Sequence, residues 1–142
     1  MASLIRIGRV SSVDAANGYI QVTYADRGGA TTASMPYFAF NDEYKMPQKE
    51  QMVIVLHLEN GSAAGIVMGS FWNQKNMPAE SGEGLFLKQL GSTAGEAYIK
   101  AQGGAVEIYG SAVTITGGSS LTVDEIAETL KDHEERIAAL GG

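Results

Sequence analysis

The sequence contains no cysteine, which removes disulfides, thiolate metal ligands and cysteine nucleophiles together. Basic residues are scarce: ten Lys and Arg stand against sixteen Asp and Glu, and no window gathers them. A net charge of −6 argues against nucleic acid as a partner, because phosphate binding draws on clustered cations. No run of ~18 apolar residues is present to cross a membrane as a helix. The apolar run at the N-terminus is broken by Arg6 and Arg9 and is too short for the core of a secretory signal. The chain is therefore expected to be made in the cytoplasm without a signal peptide. Histidine is limited to His57 and His133, which leaves little material for a catalytic base.

Glycine is what the chain has in excess. Its 18 glycines exceed the ~10 expected from average usage. Nine of them (82, 84, 91, 95, 103, 104, 110, 117 and 118) fall between Gly82 and Gly118. Between them lie short alternating runs: Leu85-Phe86-Leu87, Ala97-Tyr98-Ile99, Val106-Glu107-Ile108 and Val113-Thr114-Ile115. The pair Val106/Ile108 recurs as Val113/Ile115 and again as Leu121/Val123. Strand periodicity with regular turns is the mark of stacked short strands. Strands this short bury too little apolar surface to offset the ordering of a glycine-rich backbone. The expected solution is copies of the same chain wrapped around one another, giving a homotrimer.

Residues 1–73 read differently. Leu4 to Val13 alternate with a slip near Gly8, which predicts a bulge or bend there. Asn17-Gly18 is a strong hairpin signal, and 19–25 and 30–34 read as strands around the turn 26–29. Pro36 leads into Tyr37-Phe38-Ala39-Phe40 and a polar loop to Gln51. Residues 52–58 are apolar on both faces and therefore central. Asn60-Gly61 predicts another hairpin, with 63–72 returning as the last strand. Five short antiparallel strands with corner glycines predict a small closed barrel of the OB type, with a sandwich or SH3-like barrel as the alternative.

Residues 74–81 are polar and turn-prone and read as a linker, placing the stalk at 82–120. From 121 to 142 the period becomes helical. Thr122-Val-Asp-Glu125 fits a capping box, with Leu121 and Ile126 spaced as its staple. Val123, Ile126, Leu130, His133, Ile137 and Leu140 follow an a/d heptad seam. The fold class is thus mainly β, with an N-terminal barrel, a trimeric β-prism or β-helix stalk and a trimeric coiled-coil helix. The expected trimer core is Leu85, Leu87, Ile99, Val106, Ile108, Val113 and Ile115 in the strands. The same core continues through Val123, Ile126, Leu130, His133, Ile137 and Leu140 in the helix.

Chemistry is sparse. His57 sits between Leu56 and Leu58 with no acid or nucleophile placed beside it, so a structural histidine is expected. Three copies of His133 would meet on a trimer axis and could hold a metal or anion. A polar layer that sets register is the reading preferred for it. No cofactor and no catalytic residue is expected. The glycine pairs 28–29, 103–104 and 117–118 match no phosphate loop. Ser11-Ser12 and Ser119-Ser120 have no histidine at motif spacing. Tyr19, Tyr24, Tyr37 and Phe38 could stack bases on a barrel, but no positive charge accompanies them.

Residues 52–73, Met-Val-Ile-Val-Leu-His-Leu-Glu-Asn-Gly-Ser-Ala-Ala-Gly-Ile-Val-Met-Gly-Ser-Phe-Trp-Asn, resemble the end of the OB domain in baseplate spike proteins. That family belongs to contractile-tailed phages and related injection systems, the baseplate assembly protein V and VgrG-like group. The opening Ile5-Arg-Ile-Gly-Arg-Val10-Ser-Ser-Val is similar to its first strand, and the order of parts is similar over the whole chain. The resemblance implies a non-enzymatic, trimeric structural spike in a virion or tail-like particle, made in a bacterial cytoplasm. It would attach to tail hub, baseplate and tube proteins and pierce or contact a target cell envelope. The helical C-terminal end departs from the family's β tip and leaves three roles open: a trimerisation clamp, a platform for a separate tip protein, or a device suited to a thick wall without an outer membrane. Spike tips of the family that bind iron carry His-x-His. Here His133 stands alone, so no iron site is carried over. The competing expectation is an OB-fold module for an oligosaccharide or protein, trimerised for avidity.

Overall fold

The computed structural model describes residues 4–58 and 64–141. The chain is mainly β, with antiparallel sheets and one C-terminal helix, and it divides into two compact units, Met1–Met77 and Pro78–Gly142. The division lies inside the stretch that reads as a linker.

The first unit contains β1 (Ile5–Asp14), β2 (Tyr19–Tyr24), β3 (Ala30–Thr31), β4 (Met35–Pro36), β5 (Met52–His57) and β6 (Gly65–Ser70). They pair in the order β3-β2-β1-β5-β6, with β4 on β2. The β1–β2 turn is closed by Asp14, whose carboxylate accepts from the Asn17 backbone at 3.2 Å and from its side chain at 2.9 Å. Those bonds, the side-chain one foremost, hold the Asp14 carboxyl below its usual range. Gly18 then takes a left-handed φ of 72°, which glycine adopts without a Cβ penalty.

The expected bulge lies elsewhere. The β1–β2 register shifts between Val10 and Ser12, while Gly8 pairs regularly with Val53. Glycine is required at position 8 for space, since a Cβ there would stand 2.2 Å from Val22 Cγ1. The third strand is two short pieces in place of a continuous 30–34. The expected closed barrel is also incomplete among the described residues. The strand pairing between β6 and the β4 segment is, among the described residues, an isolated parallel bridge, Tyr37 to Val67, with the Phe38 amide donating to the Val67 carbonyl at 2.9 Å. β5 is central, paired with β1 on one side and β6 on the other. The Asn60-Gly61 turn lies outside the described residues.

Inside this sheet Val10, Ile20, Val22, Tyr24, Met35, Val53, Val55 and Val67 are buried. At ~1.5–3 kcal/mol for each large apolar side chain removed from water, they give the first unit a core of its own.

The second unit has β7 (Phe86–Gln89), β8 (Tyr98–Gln102) and β9 (Ala105–Tyr109) in one meander. A hairpin follows, β10 (Thr114–Thr116) with β11 (Ser120–Thr122), and then α1 (Val123–Leu140). Gly103 and Gly104 both have positive φ, 57° and 82°, the geometry of a two-residue turn matched to strand twist. Leu121 and Thr122 belong to β11, and the helix starts at Val123, directly after the Thr122 N-cap that the capping box predicts. Extended pairing with Thr114 and Ile115 holds them until the cap is reached. That cap is a complete capping box: Glu125 N–H donates to Thr122 Oγ1 at 3.1 Å, and Thr122 N–H donates to the Glu125 carboxylate at 2.7 Å.

Candidate assembly surfaces

No described residue of the second unit is buried. A three-stranded sheet and a hairpin without a covered face are marginal in water, and so is an isolated helix of this length. The ion pairs do not compensate. Lys131–Glu135 at 4.0 Å and Asp132–Arg136 at 3.7 Å are exposed i,i+4 pairs, worth only a few tenths of a kcal/mol each.

The strand register sorts the β7–β9 sheet into two faces. Ile99 opposes Ile108 and Ala101 opposes both Val106 and Phe86. Directly paired residues share a face, so these five side chains form one apolar surface together with Lys88. Val106 is 71% and Ile108 60% exposed. The opposite face is polar and cross-linked: Tyr98 donates to Glu107 at 2.8 Å and stacks on Tyr109 at 5.1 Å. Lys100 bonds Glu80 at 2.5 Å. The Glu107 carboxylate raises the Tyr98 hydroxyl pKa, and Glu80 raises that of the Lys100 ammonium. Leu87 pairs with Lys100 on this polar face. Leu87 therefore does not join Ile99, Val106 and Ile108, and Phe86 occupies the position expected for it. Leu85 precedes β7 and is half-buried.

A second apolar row begins in the hairpin. Ile115 opposes Leu121, and the Val123 amide donates to the Val113 carbonyl at 2.9 Å. Alternation puts Val113 and Ile115 on one side with Leu121. From Val123 the row passes into the helical seam at Ile126, Leu130, His133, Ile137 and Leu140. Each of these helical residues is exposed, Leu140 by 88%. Ala127, Thr129, Glu134 and Arg136 flank the seam, while Asp124, Glu125, Glu128, Lys131, Asp132 and Glu135 lie away from it by heptad position.

A third surface lies on the first unit, where sequence reading identified a central strand and no interface. Val53 and Val55 point into the core, so Met52, Ile54 and Leu56 point out. Their partners across β1 are Arg9, Ile7 and Ile5, and Leu56 also pairs with Ile66 on β6. Ile5 is 62% and Ile7 54% exposed. The signal was the two-sided apolarity of 52–58, which covers a sheet neighbour and an exposed face alike.

His57 lies at the polar end of the core. Its Nε2 and the Tyr24 hydroxyl are 2.6 Å apart, and the Arg6 guanidinium lies 4.4 Å over the Tyr24 ring while pairing with Asp26 at 2.5 Å. Burial raises the Tyr24 hydroxyl pKa, with Arg6 opposing. Among the described residues His57 Nδ1 has no hydrogen-bond partner, and no group of three or more His, Cys, Asp or Glu is placed to hold a metal ion. No described helix is long and apolar enough to cross a membrane. Comparison with protein-family models finds no match, and comparison with curated proteins finds none either.

Proposed function

We propose that the chain is a structural, homotrimeric spike of a contractile tail or tail-like particle, attached to hub and baseplate proteins and driven against a cell envelope. The observation that carries this reading is the second unit: a folded run of five strands and a capped helix with no buried side chain among its described residues. Its apolar residues lie in rows, on one sheet face and along one helical seam, which is the arrangement that copies of the chain can bury jointly. In three copies Phe86, Ile99, Ala101, Val106 and Ile108 turn to the shared interior, and the Tyr98–Glu107 and Lys100–Glu80 ladder faces water. The seam closes as a coiled coil with His133 as its polar layer. Work is mechanical, through a stiff shaft, and no bond is made or broken.

For the first unit the reading is an OB-type barrel. Supporting it are the pairing of β1 with both β2 and β5 and the parallel bridge from the β4 segment to β6, the partly open five-stranded barrel typical of that fold. Deletion of residues 82–142 tests the division of labour. The first unit is expected to stay folded, because its core is self-contained, and to have a one-copy mass. A truncated chain that keeps a three-copy mass would overturn the assignment of the assembly surface to the second unit.

A further inference from the structure

We infer that a cavity between the β1–β2 turn and the segment after β4 binds a compact organic cation, a trimethylammonium group held against two tyrosine rings. The inference concerns the first unit and holds whatever the number of copies. The cavity measures about 220 Å³, room for about seven waters, and Tyr37, Tyr44, Ala39 and Met46 wall it. Its two sides are tied together by bonds within the chain. The Tyr37 amide donates to the Gly18 carbonyl at 2.8 Å, and the Tyr44 hydroxyl donates to the Ala15 carbonyl at 2.8 Å. Between the two tyrosines the backbone doubles back. Asn41 and Asp42 both take left-handed φ, 50° and 57°, a region that Asn and Asp enter more readily than most side chains. The Glu43 amide closes this turn on the Phe40 carbonyl at 3.0 Å. Asp42 and Glu43 thereby join the lining.

The chemistry of the lining selects the occupant. Two carboxylates against one ammonium, that of Lys45, give it a formal charge of −1, which disfavours an anion. Burial, and then the Glu43 charge, raise the Tyr37 hydroxyl pKa, so that carboxylate lies near the ring and the phenol stays neutral. A metal ion fits poorly. Among the described residues no group of three or more His, Cys, Asp or Glu is placed to hold one, and hard cations ask for six or more oxygens. A neutral apolar ligand would strip water from the carboxylates without replacing it. A primary ammonium is compact and strongly hydrated, and aromatic walls give its hydrogens no acceptor. A quaternary ammonium answers each group: its charge meets the tyrosine rings and the two carboxylates, and its methyl groups pack on Ala39 and Met46.

Saturation-transfer NMR on the intact chain tests this with choline, with ethanolamine, and with the neutral choline analogue in which carbon replaces nitrogen. Choline is expected to saturate in the millimolar range, and the other two to bind about tenfold more weakly. Tyr44→Leu and Asp42→Asn should each weaken choline binding several-fold while the urea midpoint stays in place. Asparagine at position 42 keeps a residue suited to the left-handed φ, so that variant separates lost charge from lost fold. Vesicles of phosphatidylcholine distinguish the sources of the group. Co-sedimentation that Asp42→Asn abolishes assigns it to a lipid headgroup, and choline binding without co-sedimentation assigns it to a free solute. No saturable choline signal, equal binding of ethanolamine or of the neutral analogue, or variants that bind choline as the parent does would overturn the inference.

Discussion

At position 8 a single methyl group has consequences. Gly8→Ala would place its Cβ 2.2 Å from Val22 and 2.8 Å from the Tyr24 ring, and overpacking of this kind typically costs ~1–3 kcal/mol. Calorimetry of the first unit should show Tm falling by several degrees per kcal/mol lost. An unchanged Tm would mean that β1 and β2 separate freely at this point. Tyr24→Phe removes the hydroxyl at 2.6 Å from His57 Nε2 and leaves a ring whose other nitrogen already has no described partner. The expected loss is ~1–3 kcal/mol, read as a lower urea midpoint with unchanged slope. Both residues show where sequence reasoning stopped. Gly8 was legible as a special position, but glycine for a bulge and glycine for a neighbouring ring look alike until strand pairing is known. His57 was legible as a strand residue between Leu56 and Leu58, whereas its partner Tyr24 lies 33 positions away and no local spacing connects them.

Among elements, the helix was the most legible, because each device that starts it is local. Thr122 and Glu125 are three apart, and the seam repeats within one turn or two. The Thr122 backbone amide, and then its hydroxyl, hold the Glu125 carboxyl below its ordinary 4.5. A depressed acid contributes stability that is present above its unfolded pKa and lost as pH falls through the folded one. Helical circular dichroism should therefore decline on acidification below about pH 4.5. Glu125→Gln should flatten that part of the profile, and a variant with the parent's acid limb would contradict the role given to the cap. Thr122→Ala should cost ~1 kcal/mol of helix stability.

The fifth strand of the second unit, β11, overlaps the start of the stretch that reads as helical. The other four were legible in place, since glycines mark their ends. Their facing was not. Leu85 and Leu87 alternate as well as Phe86 and Lys88, and only the pairing of Phe86 with Ala101 decides between them, because a one-residue slip exchanges the faces of a strand. Phe86→Asp is accordingly expected to weaken assembly at least tenfold in midpoint concentration, and Leu87→Asp much less. Equal effects would mean that the register does not define the buried face.

For the molecule as a whole, charge is divided as unevenly as burial. Residues 1–77 hold six Lys and Arg against six Asp and Glu, while residues 78–142 hold four against ten and so carry the whole net charge of −6. Joining three such units brings like charges together, and salt screens them within ~10 Å at 0.1 M. Dissociation on dilution should shift to lower protein concentration as ionic strength rises, the reverse of an assembly held by ion pairs. The proposed number of copies rests on strands and a seam that one chain leaves uncovered. The most direct measurement is the mass of the intact chain in dilute solution by multi-angle light scattering. One chain is 15.0 kDa; three copies, about 45 kDa, is the predicted result, and a well-behaved 15.0 kDa monomer would contradict the account at its centre.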